Sequence, residues 1–463
     1  MHNQPNIHLI EVVDDDSPLQ TEHKSLGLGY LAAYAEKYGG YTNITIYQAS
    51  DKIKFDNMPD VIGISSVTQN FEITKKIVRK IRALSEDVII ILGGIHISLM
   101  PLSAPKEADY LVVGEGEATF LELLEHVFKK EKEITDIKGI YYKDGHKFVH
   151  TGYRELIKNL DSIPFPIREH GTYLEGHLLT SRGCPYNCPF CSSSKLWKTV
   201  RFHSSDYVIE ELKILIEKHH VKNIFFADDL FIAHKPRLHE ICNEIIKKGW
   251  NKKVSFGMNV RANLITTELT ELLKSINTTY VGIGLETGSE RMIHIMKAGT
   301  ASIEKNREAV AILKKTGIKV DGYFMMGYPG ETIHDIQKTM DFIRDSDVDM
   351  GQTMIAMPYP GTELWEIALK KGVVSENMDW SRFQADFEAD VEKTLIVSDI
   401  DRKILFKKYL EFKELWLIKN IKQSGSLKGY LKRIRFEHIA LLIREPKKIP
   451  YAVSALTKYI LKK

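Results

Sequence analysis

Three of the chain's four cysteines, Cys184, Cys188 and Cys191, fall within eight residues, in the segment Thr180-Ser181-Arg182-Gly183-Cys184-Pro185-Tyr186-Asn187-Cys188-Pro189-Phe190-Cys191. Thiolates this close suit a shared metal centre better than ordinary packing. Three ligands leave one iron of a four-iron cluster open, and an open iron can bind a substrate or a cofactor. A three-cysteine zinc site is the alternative reading of the same spacing. Cys242, the fourth cysteine, sits in the helical apolar pattern of residues 238–246 and reads as a buried structural thiol. That leaves no ligand set for a second cluster. Cysteines so few and so clustered give no disulfide framework, which points to a reducing cytoplasm.

The elements that must position this loop come in two series. A chain of 463 residues suggests two to three domains at roughly 150 residues each. In residues 1–132 short apolar runs (7–13, 61–65, 88–92, 110–113) alternate with helical patterns, which predicts a doubly wound parallel sheet. Ligands of such sheets bind at the carboxyl ends of strands. Polar and glycine-rich residues fall there: Ser66 and Thr68, Gly93 and Gly94, Gly114 and Gly116. Residues 133–175 read as a linker with a hairpin about Asp144-Gly145, followed by paired prolines, Pro164 and Pro166. Residues 176–388 hold a second series of six strand–helix repeats, a partial, open-sided (β/α)6 barrel whose chemistry belongs at the strand tips. Residues 389–463 read as a basic helical extension.

In this setting the cysteine motif resembles that of the radical S-adenosylmethionine (SAM) superfamily, with Ser181-Arg182-Gly183 before it and Phe190 inside it. The resemblance implies a [4Fe-4S] cluster on Cys184, Cys188 and Cys191. Its open iron would chelate the amino and carboxylate groups of SAM, and one electron would cleave SAM to a 5′-deoxyadenosyl radical. It further implies SAM contacts on the strand tips. Asp228 would take the SAM amine, a role a backbone carbonyl could fill if Asp228 is a helix cap instead. Asn259 and Arg261 end the third strand, and Arg261 suits the SAM carboxylate by a forked bond. Glu286, in Gly284-Leu285-Glu286-Thr287-Gly288-Ser289, suits the ribose or amine. Gly327, in Gly327-Tyr328-Pro329-Gly330-Glu331-Thr332, would let adenine stack on backbone, while Thr332 can also begin a helix.

The N-terminal series resembles the cobalamin-binding domain that precedes many radical SAM domains, through Leu26–Ala33, Asp60–Ser65, Leu92-Gly93-Gly94-Ile95-His96 and Val113–Glu117. Ser66, Thr68, Gly93, Gly94, Gly114 and Gly116 would then contact cobalamin. One departure is the missing D-x-H-x-x-G motif, whose histidine ligates cobalt in many cobalamin proteins. The nearest string, Asp144-Gly145-His146, has Val149 where glycine is needed, and His96 reads as part of its loop rather than as a cobalt ligand.

Charge separates the tail from the rest. Residues 401–463 carry 17 Lys and Arg against 5 Asp and Glu, so that a chain of net +3 is −9 over its first 400 residues. A basic amphipathic tail fits either a helical cap with a solvated basic face or a contact with an anionic membrane surface. Nucleic acid is not favoured, because aromatic and basic residues do not interleave. No run of about 18 apolar residues is present, and the N-terminus lacks a signal-peptide pattern.

The resemblance implies an enzyme that methylates an unactivated carbon or phosphorus. One SAM would methylate cob(I)alamin, and a second would yield the radical that takes a substrate hydrogen. The substrate would be a lipid, tetrapyrrole or natural product, and the electron donor flavodoxin or ferredoxin. A radical cyclase or rearrangement enzyme that keeps the domain, and a cobalamin-binding sensor, are the other readings.

Overall fold

The computed structural model describes residues 4–15, 26–168, 176–384 and 392–423. Two compact units divide the chain. The first takes residues 1–185, 191–222 and 359–383; the second takes 186–190, 223–358 and 384–463.

The first unit is organised by strands β1 (Ile7–Val12), β2 (Ile44–Ala49), β3 (Val61–Ser65), β4 (Ile89–Gly93), β5 (Tyr110–Val112), β6 (Ile140–Asp144) and β7 (Lys147–His150). They form one sheet in the order β2-β1-β3-β4-β5-β6-β7. Strands β1 to β5 are parallel. β3 is buried at four of five positions, as a strand covered on both faces must be. Helices Gly27–Gly39, Phe71–Leu84 and Glu117–Leu124 supply the covers. In the second of these Phe71, Thr74, Ile77, Val78 and Ile81 make the buried stripe, at helical spacing. Gly40, at φ 74°, closes the first in the left-handed conformation.

Two features lay outside the sequence reading. β2 has its buried residues at Ile44, Ile46 and Ala49 and pairs with β1 from Ile7↔Ile44 to Val12↔Ala49. The hairpin assigned to the linker extends the sheet, β6 lying antiparallel to β5 and β7 antiparallel to β6. The edge of the sheet is therefore mixed rather than parallel.

Residues 359–383 also belong to this unit. Trp380 stacks on Trp365 at 5.9 Å and meets Phe71 edge-on at 6.2 Å. Gln69 Nε2 donates to the Tyr359 hydroxyl at 2.7 Å, and the Trp380 backbone N–H donates to Glu72 at 3.1 Å. β8 (His177–Leu178) lies within its residue range, and short strands β9 (Ser181–Arg182) and β10 (Arg201–Phe202) pair antiparallel in it.

The second unit is built on β11 (Asn223–Phe226), β12 (Ser255–Val260), β13 (Thr278–Glu286), β14 (Lys319–Met326) and β15 (Met350–Ile355), each parallel to the next. Helices alternate with them, and Thr266, Ser302 and Thr332 begin three of these with side-chain caps. Helix Arg402–Gln423 packs on β15. Trp416 donates its indole N–H to Thr353 at 3.0 Å, over Gly351, where a Cβ would stand 2.4 Å from the indole. Residues 424–463, which include the apolar blocks 439–443 and 451–456, lie outside the described residues. No helix among the described residues is long and apolar enough to cross a membrane.

Candidate active site

The middle of the cysteine loop, Tyr186–Phe190, is held in the second unit by side chains from strand tips. Arg261 follows β12 and is buried. Its Nη1 donates to Cys188 Sγ at 3.5 Å, its Nη2 to Thr300 Oγ1 at 2.5 Å and its Nε to Asn263 Oδ1 at 3.1 Å. The guanidinium lies 3.6 Å from the centre of the Tyr186 ring, and Asn263 donates to the Tyr186 hydroxyl at 3.0 Å. Cys188 is buried beneath these contacts. No disulfide joins any of the four cysteines.

Glu286 ends β13 at φ 61°, a conformation rare for a residue with a side chain, and a register shift falls beside it. The carboxylate is buried and accepts from Lys297 Nζ at 2.5 Å. Gly284 leaves the room: a Cβ there would stand 2.4 Å from Glu286 Oε1 and 3.0 Å from Lys297 Nζ. The ammonium also lies 5.7 Å over the ring of Phe190, the residue before Cys191. Arg261 and Glu286, which sequence reasoning placed on SAM, are thus both tied to the cysteine loop, the second through Lys297.

Asn259 is half-buried on β12, its Oδ1 beside Gly282, where a Cβ would meet it at 2.5 Å. Asp228 is fully buried just after β11. Gly327, at φ 78°, donates its N–H to Glu331 Oε2 at 2.6 Å, and a Cβ there would stand 3.0 Å from Leu405. Thr332 is a helix cap, its hydroxyl and backbone reciprocally bonded with Asp335. Glu331 is buried, and its second oxygen has no hydrogen-bond partner. Burial pushes this carboxyl up to about 8.

In the first unit the approach to the loop is fixed by ion pairs. Arg182 Nη1 donates to Glu115 at 2.6 Å and Nη2 to Glu117 at 2.5 Å. Arg201 pairs with the other oxygen of Glu115 at 2.9 Å. The Arg182 guanidinium lies 5.7 Å from the rings of Tyr30 and Trp197. Burial alone would raise the Glu117 carboxyl; the charge and hydrogen bond of Arg182 outweigh it and hold it below the ordinary value. Gly183 follows at φ 97°, with 2.8 Å between a Cβ there and Thr199 O, so glycine is required immediately before Cys184.

The loops after β3, β4 and β5 carry the residues expected to contact cobalamin. Ser66 and Thr68 are buried and spent internally. The Ser66 hydroxyl bonds Val67 O at 3.1 Å and accepts from Thr74 at 2.7 Å, while Thr68 meets His96 Nδ1 at 3.2 Å. His96 Nε2 meets Ser103 at 3.0 Å, and the Phe71 ring lies tilted against the imidazole at 3.8 Å. Burial pushes His96 down to about 3, so it stays neutral with both ring nitrogens engaged. The outward features of these loops are backbone and apolar. A Cβ at Gly93 would meet nothing nearer than 3.8 Å, one at Gly114 would meet nothing within 4 Å, and Val67 and Leu102 are exposed. Gly94 turns at φ 93° hard against Ser66 O, and Gly116 packs on Leu31.

Bare glycine edges with apolar neighbours fit a large planar cofactor that approaches backbone closely. The donor set of the cysteine loop fits an iron–sulfur cluster, three soft thiols without competing carboxylates in the motif. Among the described residues no three His, Cys, Asp or Glu side chains are gathered as a metal-ligand set, so that fit rests on spacing, donor chemistry and the grip on Cys188. Sequence reasoning missed Tyr186, Asn263, Lys297 and Thr300 as contributors. Tyr186 lies in the motif and Asn263 just past a strand tip, whereas Lys297 and Thr300 follow helix Glu290–Met296, where no local signal marks them.

Two family models match in tandem: the B12 binding domain over residues 17–124 and the radical SAM superfamily over 178–343. An uncharacterized methyltransferase of Pyrococcus horikoshii is 32% identical over 84% of this chain and 87% of its own length. An anaerobic magnesium-protoporphyrin IX monomethyl ester cyclase of Rubrivivax gelatinosus is 28% identical; the match covers 73% of this chain and 65% of the cyclase, just under two thirds of it. Among solved structures, the radical SAM methyltransferase TsrM from Kitasatospora setae, with cobalamin and a [4Fe-4S] cluster bound, shares the fold at a TM-score of 0.66. It is 16% identical, over 80% of this chain and 76% of that one. The tandem of models and the long match at 32% identity agree with the motifs, and the chain belongs to the radical SAM superfamily, among the members that carry a B12-binding domain.

Proposed function

We propose that the protein methylates an unactivated carbon or phosphorus of a small molecule, with SAM as both methyl source and radical source. The observation that carries this reading is the cysteine loop, its central thiol buried under Arg261, in a chain that also bears the glycine-edged loops of a B12-binding domain. When bound, the cluster supplies the electron that cleaves SAM, and cobalamin supplies a methyl carrier. Cys184, Cys188 and Cys191 hold the cluster. Arg261, Tyr186 and Lys297 fix the middle of the loop around Cys188, while Gly93 and Gly114 offer backbone to the corrin. Asp228, Asn259 and the Gly327 loop are the proposed SAM contacts. Residues 1–132 would form the cobalamin-binding domain and 176–388 the SAM domain, joined through 133–175.

A low-potential protein such as flavodoxin or ferredoxin would donate the electron. The basic residues after 401 favour a lipid or another membrane-associated substrate over a freely soluble one. Removal of residues 424–463 should then weaken partitioning onto anionic vesicles, and unchanged partitioning removes that part of the reading. A radical cyclase is the second reading, supported by the likeness to the Rubrivivax cyclase.

The test is anaerobic purification with cobalamin present, then iron analysis and an absorption spectrum. About four irons per chain with a stoichiometric corrin support the methyltransferase. The same iron without corrin moves the assignment to a cobalamin-independent radical enzyme.

A further inference from the structure

Arg261 is held more tightly than a residue that waits for a ligand needs to be. Asn263 and Thr300 occupy two of its nitrogens, and its central carbon lies 3.6 Å over the Tyr186 ring. The remaining nitrogen, Nη1, donates to Cys188 Sγ at 3.5 Å, and both residues are buried. A planar guanidinium fixed by three anchors presents that N–H in one orientation. Hydrogen bonds and charge at the sulfurs of an iron–sulfur cluster set its reduction potential. Taking up one electron makes the cluster more negative by one unit. A buried cation beside a ligand sulfur favours the more negative state, so it raises the potential.

We infer that Arg261 is a positioning residue of the cluster, which donates to the thiolate of Cys188 and makes one-electron reduction of the cluster easier. This rests on the cluster reading above. It differs from a role on the SAM carboxylate, because it operates with no SAM present.

The experiment is a redox titration of the full-length, anaerobically reconstituted chain without SAM, with dithionite as electron source and the reduced cluster followed by electron paramagnetic resonance. Arg261→Gln removes the charge and the fork. Arg261→Lys keeps the charge and loses the anchors. Thr300→Val loosens the guanidinium without touching it. At equal iron content, Arg261→Gln should make the reduction equilibrium at least tenfold less favourable, a midpoint more negative by about 59 mV for a one-electron couple. The other two should shift the same way by less. If Arg261→Gln does not retain iron, the Lys and Val variants carry the test. Midpoints that coincide with wild type at equal iron content overturn the inference, and that result together with weaker SAM binding would return Arg261 to the SAM carboxylate. A wild-type chain that takes up no iron sinks the cluster reading and this inference with it.

Discussion

Glu331 offers a test of the strand-tip architecture that needs no substrate and no cofactor. It lies in the turn between β14 and helix Ile333–Asp345 and is 3% exposed. One oxygen accepts the Gly327 N–H at 2.6 Å, and the other is buried without a partner. Burial is the largest cause of its raised pKa, and the nearby Asp335 charge adds to it, which together place the carboxyl at about 8 against an ordinary 4.5. Between those values the folded chain keeps a proton that the unfolded chain has lost. The unfolded state then binds fewer protons, so stability falls as pH rises through this window. The contribution is complete below the unfolded value and lost above the folded one. At ~1.4 kcal/mol per pH unit, the loss between the ordinary value and neutrality is about 3 kcal/mol.

Glu331→Gln replaces the protonated carboxyl with a group that never ionises. Its carbonyl can still accept from Gly327, and its amide N–H takes the place of the hydroxyl. The variant should match wild type in mildly acidic solution and exceed it by about 3 kcal/mol near neutrality. Urea unfolding at several pH values, with the difference between the two proteins plotted against pH, reads this directly. A difference that stays constant from about pH 5 to about pH 8 would refute the reasoning, because it would mean that Glu331 titrates as an ordinary carboxyl.

The ion pairs ahead of the cysteine loop give a second prediction: Arg182→Met should cost about 3–5 kcal/mol in urea unfolding, because it strands buried Glu117 without its partner. The Glu117→Gln variant should cost less, since the arginine keeps Glu115. Cys242 is fully buried, and burial pushes its thiol up to about 12. Alkylation of the folded, iron-free chain should therefore label Cys184 and Cys191 and spare Cys242, as peptide mass mapping would show; rapid labelling of Cys242 would contradict its burial.

The parts of this protein that were legible in the sequence are those fixed by short-range pattern. Apolar runs such as Val61–Ser65 and Tyr280–Leu285 had to be buried strands, and the strand–helix rhythm left few other topologies. β2 does not show as a strand in the sequence, where Tyr47 and Gln48 break the apolar alternation; pairing with β1 decides it. The hairpin 140–150 is legible from its Asp144-Gly145 turn, yet nothing local to it says which sheet edge it joins. Residues 359–383 follow the sixth strand in sequence and pack with the first unit, where Trp380 buries its ring by Phe71 and His96 and Trp365 stacks on Trp380. Such long-range choices depend on where an apolar face finds a partner, which composition does not record.

The candidate site divides along the same line. Residue type places Arg261 and Glu286 at strand tips, and strand tips are where chemistry belongs in an open α/β series. Type does not settle what a charged tip faces. A lone buried charge is costly, so packing must give each one partners, and here they are Asn263, just past β12, and Thr300 for Arg261, and Lys297 for Glu286, the last two from the segment after helix Glu290–Met296. The Glu286–Lys297 pair is bought with backbone strain, a positive φ at a side-chain-bearing residue beside a register shift. A well-packed apolar pair would hold the same turn at lower cost. What such a pair lacks is a fixed charge over Phe190, and an iron–sulfur loop is among the few neighbours whose chemistry responds to one. The strain at Glu286 and the triple anchoring of Arg261 thus have one physical rationale: both keep a cation close to the cysteine loop.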